Sequence, residues 1–266
     1  METVALGFIG SLIAGLATGV GALPIVLAVN LTERFQGILL GLGGGVMLGA
    51  TSFSLIVPGI DAAIAQRAAA ESIAQGYTKV TAALIVSVGI LLGGTLIWLA
   101  HENFPHEHFF KGKEGATLQN FERIWLFVIA IALHNFPEGL AVGVGFGGDN
   151  LSSGLALATG IGLQNMPEGL VVALALRNLR YSINYSLGIS FLTGLVEPIG
   201  GIVGASLVSL AQPILPWAMA FAAGAMLFVI VDEIIPEINS KNLAQEGTFG
   251  VMTGFVAMMF MDTAFG

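Results

Sequence analysis

The sequence predicts an all-α polytopic membrane protein with eight transmembrane helices. Of its 266 residues, 55% are hydrophobic and 10% charged, against about 25% charged in soluble domains. The apolar residues come in runs of about twenty, the length that crosses a bilayer as helix, separated by short polar stretches. The 37 glycines fall inside those runs, where small residues let helix backbones approach closely. The alternating segments of about ten residues that a membrane barrel requires are absent.

The spans fall at roughly 4–30, 36–60, 80–100, 122–146, 152–176, 184–208, 214–236 and 248–265. The N-terminus lacks a basic region and runs straight into apolar sequence, so span one is read as retained rather than cleaved. The Ala-rich stretch from Asp61 to Lys79 is longer than a hairpin and extends span two as helix outside the bilayer. Residues 101–120, after span three, form the main polar loop. Span four lies between Glu122-Arg123 and Gly147-Gly148-Asp149-Asn150. Span five ends at Arg177-Asn178-Leu179-Arg180. In span six, Glu197 precedes Pro198, which predicts a helix break one residue after the acid. Residues 1–266 are read as one transmembrane domain with the 101–120 loop inside it.

Basic residues set the orientation. Arg34, Lys111, Lys113, Arg123, Arg177, Arg180 and Lys241 lie in or beside odd-numbered loops; only Arg67 and Lys79 lie in the second. Odd loops are therefore expected to be cytoplasmic, the 101–120 loop included, and both termini extracytoplasmic. Cysteine is absent, which excludes disulfides and thiolate metal sites. The net charge of −8 argues against nucleic-acid binding. No Gly-x-x-x-x-Gly-Lys-Ser/Thr motif is present, so no ATP coupling is expected.

Two internal repeats organise the chain. Gly45-Val46-Met47-Leu48 followed by Pro58-Gly59-Ile60 in span two resembles Gly224-Ala225-Met226-Leu227 followed by Pro236-Glu237-Ile238 in span seven. Leu133-His134-Asn135-Phe136-Pro137-Glu138-Gly139-Leu140 in span four matches Leu163-Gln164-Asn165-Met166-Pro167-Glu168-Gly169-Leu170 in span five. Both pairs would run antiparallel. An inverted repeat, spans one to three against six to eight with four and five paired, follows, and such architectures place their site near the midplane.

Residues four apart share a helix face, so His134 lies beside Glu138 and Gln164 beside Glu168. Pro137 and Pro167 have no N–H for the carbonyls of Leu133 and Leu163, which must find other partners at membrane depth. Imidazole nitrogen with carboxylate oxygen suits a divalent transition metal such as zinc, and two carboxylates offset its charge. A proton relay needs the acids but not the doubled Asn-x-Pro-Glu-Gly frame. Glu197 is a third acid at membrane depth, either part of the site or paired to a neighbouring helix. Met47 is either a soft ligand or core packing.

These residues resemble the ZIP (zinc–iron permease) family across essentially the whole chain. The signature is His-Asn-x-Pro-Glu-Gly on one helix beside x-Asn-x-Pro-Glu-Gly on the next. Gly45-Val46-Met47-Leu48, Phe53-Ser54-Leu55-Ile56-Val57-Pro58-Gly59-Ile60-Asp61, Pro105-His106-Glu107-His108 and Met261-Asp262-Thr263-Ala264 are similar to its bacterial, GufA-like branch. The resemblance implies a bacterial inner-membrane homodimer with no cofactor, carrying divalent metal as substrate. It implies two adjacent metal positions. Met47, His134, Glu138, Gln164 and Glu168 match ligands of one; Asn135, Glu138, Asn165, Glu168 and Glu197 match ligands of the other. Position 165 is Asn where close bacterial relatives can carry Asp, so one strong position beside a weaker one is expected.

Polar residues at the two mouths fit a route. Asp61 and Asp262, at the ends of spans two and eight, match entrance acids that attract cations; each is also an ordinary helix-end charge. His101, His106 and His108 suit metal capture at the cytoplasmic exit, or belong to a solvated loop. Asp232 and Glu233 in span seven would join them in an exit relay, or form a structural acid pair. The expected function is import of divalent transition metal by alternating access, zinc first and iron, manganese, cadmium or cobalt behind it. Spans one, four, five and six would move against the rest, elevator-like. An intramembrane metalloprotease would need His-Glu-x-x-His, which His134-Asn135-Phe136-Pro137-Glu138 lacks. A metal-sensing receptor would bind without flux.

Overall fold

In the computed structural model the described residues are 2–27, 32–70, 75–103, 106–108, 112–114, 135–147, 151–178, 181–240 and 244–265. Nearly all of them are helical. Helix α1 (Glu2–Ala22) tightens into a 3-10 stretch, Leu23–Leu27, at Pro24. Helix α2 (Glu33–Gly49) begins at Thr32, whose hydroxyl accepts from the Phe35 amide and so satisfies one donor of the first turn. It widens into a π-helical stretch, Ala50–Ile56, and continues as α3 (Val57–Ala70). The Ala-rich sequence therefore does carry span two on as helix beyond Ile60. Helix α4 is Gln75–Asn103, α5 covers 135–145, and α6 is Leu151–Asn178. Helices α7 (Ile183–Gly194) and α8 (Glu197–Leu210) follow. Helix α9 (Leu215–Val229) passes through a second π stretch, Ile230–Ile234, into α10 (Ile235–Ser240), and α11 is Ala244–Phe265.

The two π stretches have one cause. A proline ring clashes with the carbonyl four residues before it. For Pro58 that carbonyl belongs to Ser54, and for Pro236 to Asp232, both inside a π stretch. The wider turn absorbs the clash. The ladder then resumes through bonds reaching five residues back, from the Val57 amide to Ser52 and from the Ile235 amide to Ile230. The sequence repeat of spans two and seven is thus also a repeat of backbone form.

One sequence expectation changes, and two features are new. The break in span six lies at Leu195–Val196, before Glu197 rather than at Pro198. Proline needs no N–H partner in a first helical turn, so Glu197-Pro198 opens α8 instead of interrupting it. Helix α6 runs through Pro167 without ending. In the polar loop, β1 (His106–His108) pairs antiparallel with β2 (Gly112–Glu114), with His106 opposite Glu114.

Among the described residues, five helices are long and apolar enough to cross a membrane: Glu2–Leu27, Gly37–Gln66, Lys79–Ala100, Ile183–Leu210 and Leu215–Asp232. Helices α6 and α11, at 28 and 22 residues, have the length but carry polar residues, among them Gln164, Asn165 and Glu168 on α6. Residues 122–134 of span four lie outside the described residues. Apolar stripes lie on the outside: Val80, Leu84, Leu91 and Leu92 on α4, and Ile199, Ile202 and Leu210 on α8, are all exposed.

The helices pack in two groups. Helix α1 lies along α6, α7 and α8, and α5 joins them through Gly139 and Gly143 against α8. In the other group α11 packs along α2, and α4 along α9, with α3 against both α4 and α9. Among the described residues, the groups meet where α6 touches α2 and α11 and where Val144 and Val208 pack against α9. Within each group glycines allow backbone contact: a methyl at Gly45 would run into the Val251 carbonyl of α11, whereas Gly188 on α7 faces open space. Gly45→Ala is expected to lower the apparent melting temperature in detergent by more than about 4 °C, from overpacking of about 1–3 kcal/mol. Gly188→Ala should stay within about 2 °C of wild type.

Candidate metal centre

The site begins with groups that lipid excludes. Asn135, Glu138, Gln164, Asn165 and Glu197 are buried to 1% exposure or less, and Glu168 is partly buried. The two motif copies touch directly, the Gln164 side-chain amide donating to the Glu138 carboxylate. Each copy's glycine admits a third helix. A methyl at Gly139 would collide with the Glu197 backbone on α8, and one at Gly169 with the Thr18 backbone on α1. The repeated frame therefore divides its work: proline withdraws an N–H, glutamate brings charge, and glycine brings the neighbouring helix to it.

Asn165 closes the far side. Its Nδ2 donates to the Ala14 carbonyl of α1 at 2.9 Å and to Glu197 Oε1 at 2.7 Å. Glu197 stands in the first turn of α8, where free amides and the helix dipole favour an anion. Through Gln164 and Asn165, adjacent on α6, the carboxylates of Glu138 on α5 and Glu197 on α8 are drawn to one place, and Glu168 lies one turn further along α6.

Among the described residues, several buried polar atoms have no hydrogen-bond partner: both amide atoms of Asn135, Gln164 Oε1, Asn165 Oδ1, Glu197 Oε2 and Thr18 Oγ1. Native interiors leave few such groups. Acceptor oxygens dominate this set, which is what a cation needs. Among the described residues no three His, Cys, Asp or Glu side chains form a ready cage. Half of the donors here are amides, and His134 lies outside the described residues. Met47 is buried on α2, one turn on from Gly43, whose face meets the Gln164 side chain. The centre therefore sits at the seam between the two helix groups.

The remaining sequence candidates lie elsewhere. Asp61 is exposed on α3. Asp262, late in α11, accepts a 2.6 Å hydrogen bond from Ser54 in the first π stretch. His101 is in the last turn of α4, His106 and His108 are in β1, and Asp232 and Glu233 are in the second π stretch. Three contributors escaped the sequence reading: the Ala14 carbonyl, the Thr18 hydroxyl and Ser54. Ser11 and Thr18, both fully buried, are seven residues apart and so share a face of α1. Two hydroxyls at that spacing in an otherwise apolar span were the available signal.

Helices of membrane length enclosing carboxylates and amides define a polytopic membrane protein with a buried polar centre. Comparison with known proteins supplies the family. Residues 100–262 match the family model described as ZIP Zinc transporter. The chain is 45% identical over 260 residues to Zinc transporter GufA of Myxococcus xanthus, covering 98% of this chain and 99% of that one. It is 40% identical over 251 residues to Zinc transporter ZIPB of Bordetella bronchiseptica, covering 94% and 78%. It is 46% identical over 153 residues to human Zinc transporter ZIP11, covering 55% and 45%. The chain belongs to the ZIP family of zinc transporters and is GufA-like; it is a membrane transport protein, not an enzyme.

Replacing Gln164 by Leu keeps the volume but removes the amide that joins the two motif copies. Zinc affinity, measured against a competing chelator, is expected to fall about tenfold, the equivalent of one buried hydrogen bond and a weak ligand. An unchanged affinity would separate Gln164 from the centre.

Proposed function

We propose that this protein imports divalent transition metal, zinc foremost, into the cytoplasm of a bacterial cell across the inner membrane. The observation that carries this is the contact between the two motif copies. Glu138 and Gln164 bond to each other beside buried oxygens that have no hydrogen-bond partner among the described residues, where α6 meets α2. The relatives named as zinc transporters support the same reading. Met47, His134, Glu138, Gln164 and Glu168 hold the strong metal position in this account. Asn135, Asn165 and Glu197 are the polar groups beside it that match the second metal position of the family. Iron, manganese, cadmium and cobalt share the ligand chemistry and are secondary substrates.

Eight spans with both termini extracytoplasmic, in a homodimer, remain the architecture that fits the charge distribution and the family. Asp61 and Asp262 serve the outer mouth, and His101, His106, His108, Asp232 and Glu233 serve the exit. The division into two packed groups supports alternating access in which α1, α5, α6, α7 and α8 move as a body past the other helices. A site at the border of two bodies changes exposure when one slides.

In proteoliposomes, Glu138→Ala and Glu168→Ala are each expected to lower zinc uptake at least about tenfold while the protein remains folded. Unchanged uptake in either variant would sink the assignment. Tight zinc binding by wild type without flux into sealed vesicles would favour a receptor instead.

A further inference from the structure

Asn165 does more than fill a place in a repeated motif. Its amide nitrogen carries two hydrogens and has two partners, the Ala14 carbonyl at 2.9 Å and Glu197 Oε1 at 2.7 Å. A main-chain carbonyl only accepts, so the amide cannot be turned over. Oδ1 is then the atom left over, and it is buried without a partner among the described residues. One side chain joins three helices: α6 through Asn165, α1 through Ala14 and α8 through Glu197. The backbones around it are already close. A Cβ on Gly15 would stand 3.4 Å from the Glu197 Cβ, and Gly139 abuts the Glu197 backbone from α5.

An aspartate at this position makes neither bond. Its oxygens would face a carbonyl oxygen and a carboxylate oxygen, acceptors all, and only a cation or protons between them would relieve the repulsion. The asparagine offers those same oxygens two N–H dipoles instead. We propose that the Asn165 amide stands in for a second cation. It holds Glu197 Oε1 and the Ala14 carbonyl in place, locks α1, α6 and α8 into one unit, and leaves the protein working with a single metal. Asn165 and Glu197 are then positioning residues rather than ligands of a transported ion. The proposal rests on the transport reading of this same site and states how many ions it holds.

The test is a count of zinc per chain that depends on Glu138. The full-length protein in detergent is equilibrated with chelator-buffered zinc, and bound metal is measured by mass spectrometry with and without Glu138→Ala. Wild type is expected to show one Glu138-dependent zinc, and Asn165→Asp two. Adding Glu197→Gln to Asn165→Asp should return the count to one, because the second ion loses a carboxylate. A merely structural role for Asn165 would not produce that gain and reversal. Two Glu138-dependent ions in wild type, or one in Asn165→Asp, overturns the proposal. No Glu138-dependent zinc in wild type overturns the transport reading of the centre and this proposal with it. Should Asn165→Asp fail to fold, Glu197→Gln in the wild-type background decides, since glutamine keeps an acceptor at Oε1. A count still at one supports the clasp, and a count of zero overturns it.

Discussion

A carboxylate taken out of water must be met by donors or by a counter-ion, because the desolvation cost otherwise exceeds what packing returns. This protein buries Glu138 and Glu197 completely and Glu168 in part. The surrounding structure answers that constraint. Gln164 donates to Glu138, Asn165 donates to Glu197, and α8 begins at Glu197 so that its dipole points the favourable way. Among the described residues, Gln164 Oε1, Asn165 Oδ1 and Glu197 Oε2 have no hydrogen-bond partner, and oxygen acceptors of this kind suit the divalent cation of the proposed function.

Close helix approach is the second requirement. Amide-to-carboxylate bonds across helices demand short interaxial distances, which bulky side chains at the crossings would prevent. Gly139 against α8 and Gly169 against α1 remove that obstacle beside the two motif glutamates. The same device recurs away from the site, at Gly45 against α11 and Gly224 against α4, both within the second helix group. Among the described residues, the two groups meet through α6 against α2 and α11 and through Val144 and Val208 against α9. The polar centre is therefore built mainly on α1, α5, α6 and α8, with Gly43 of α2 against the Gln164 side chain. In the proposed transport cycle, that border is where the exposure of the ion would change.

Much of this was legible in the sequence because polar residues inside apolar runs are costly and so conspicuous. Glu138, Gln164, Asn165, Glu168 and Glu197 were all singled out that way, whereas the Pro58 and Pro236 repeat was read only as a sequence repeat, without the two matching π stretches. Other features were not written in residue types. The Ala14 carbonyl is main chain, and an alanine at that position signals nothing. The break before Glu197 depends on which side of Pro198 the chain chooses to unwind, and both sides satisfy the missing N–H. The short ladder at His106–His108 lies in a stretch too brief and too polar for periodicity to register. Thr18 was visible only through its seven-residue spacing from Ser11, a weak sign in a helix rich in small residues.

The most direct test is where the ion sits. An anomalous-difference map recorded at the zinc edge, from crystals of the protein grown with zinc, would locate it without reference to any transport assay. The account predicts one strong peak about 2.0–2.2 Å from carboxylate oxygens of Glu138 and Glu168, on the Gln164 side of the cluster, and no comparable peak between Asn165 and Glu197. Density confined to the 101–120 loop, or two peaks of equal strength flanking the glutamates, would contradict it.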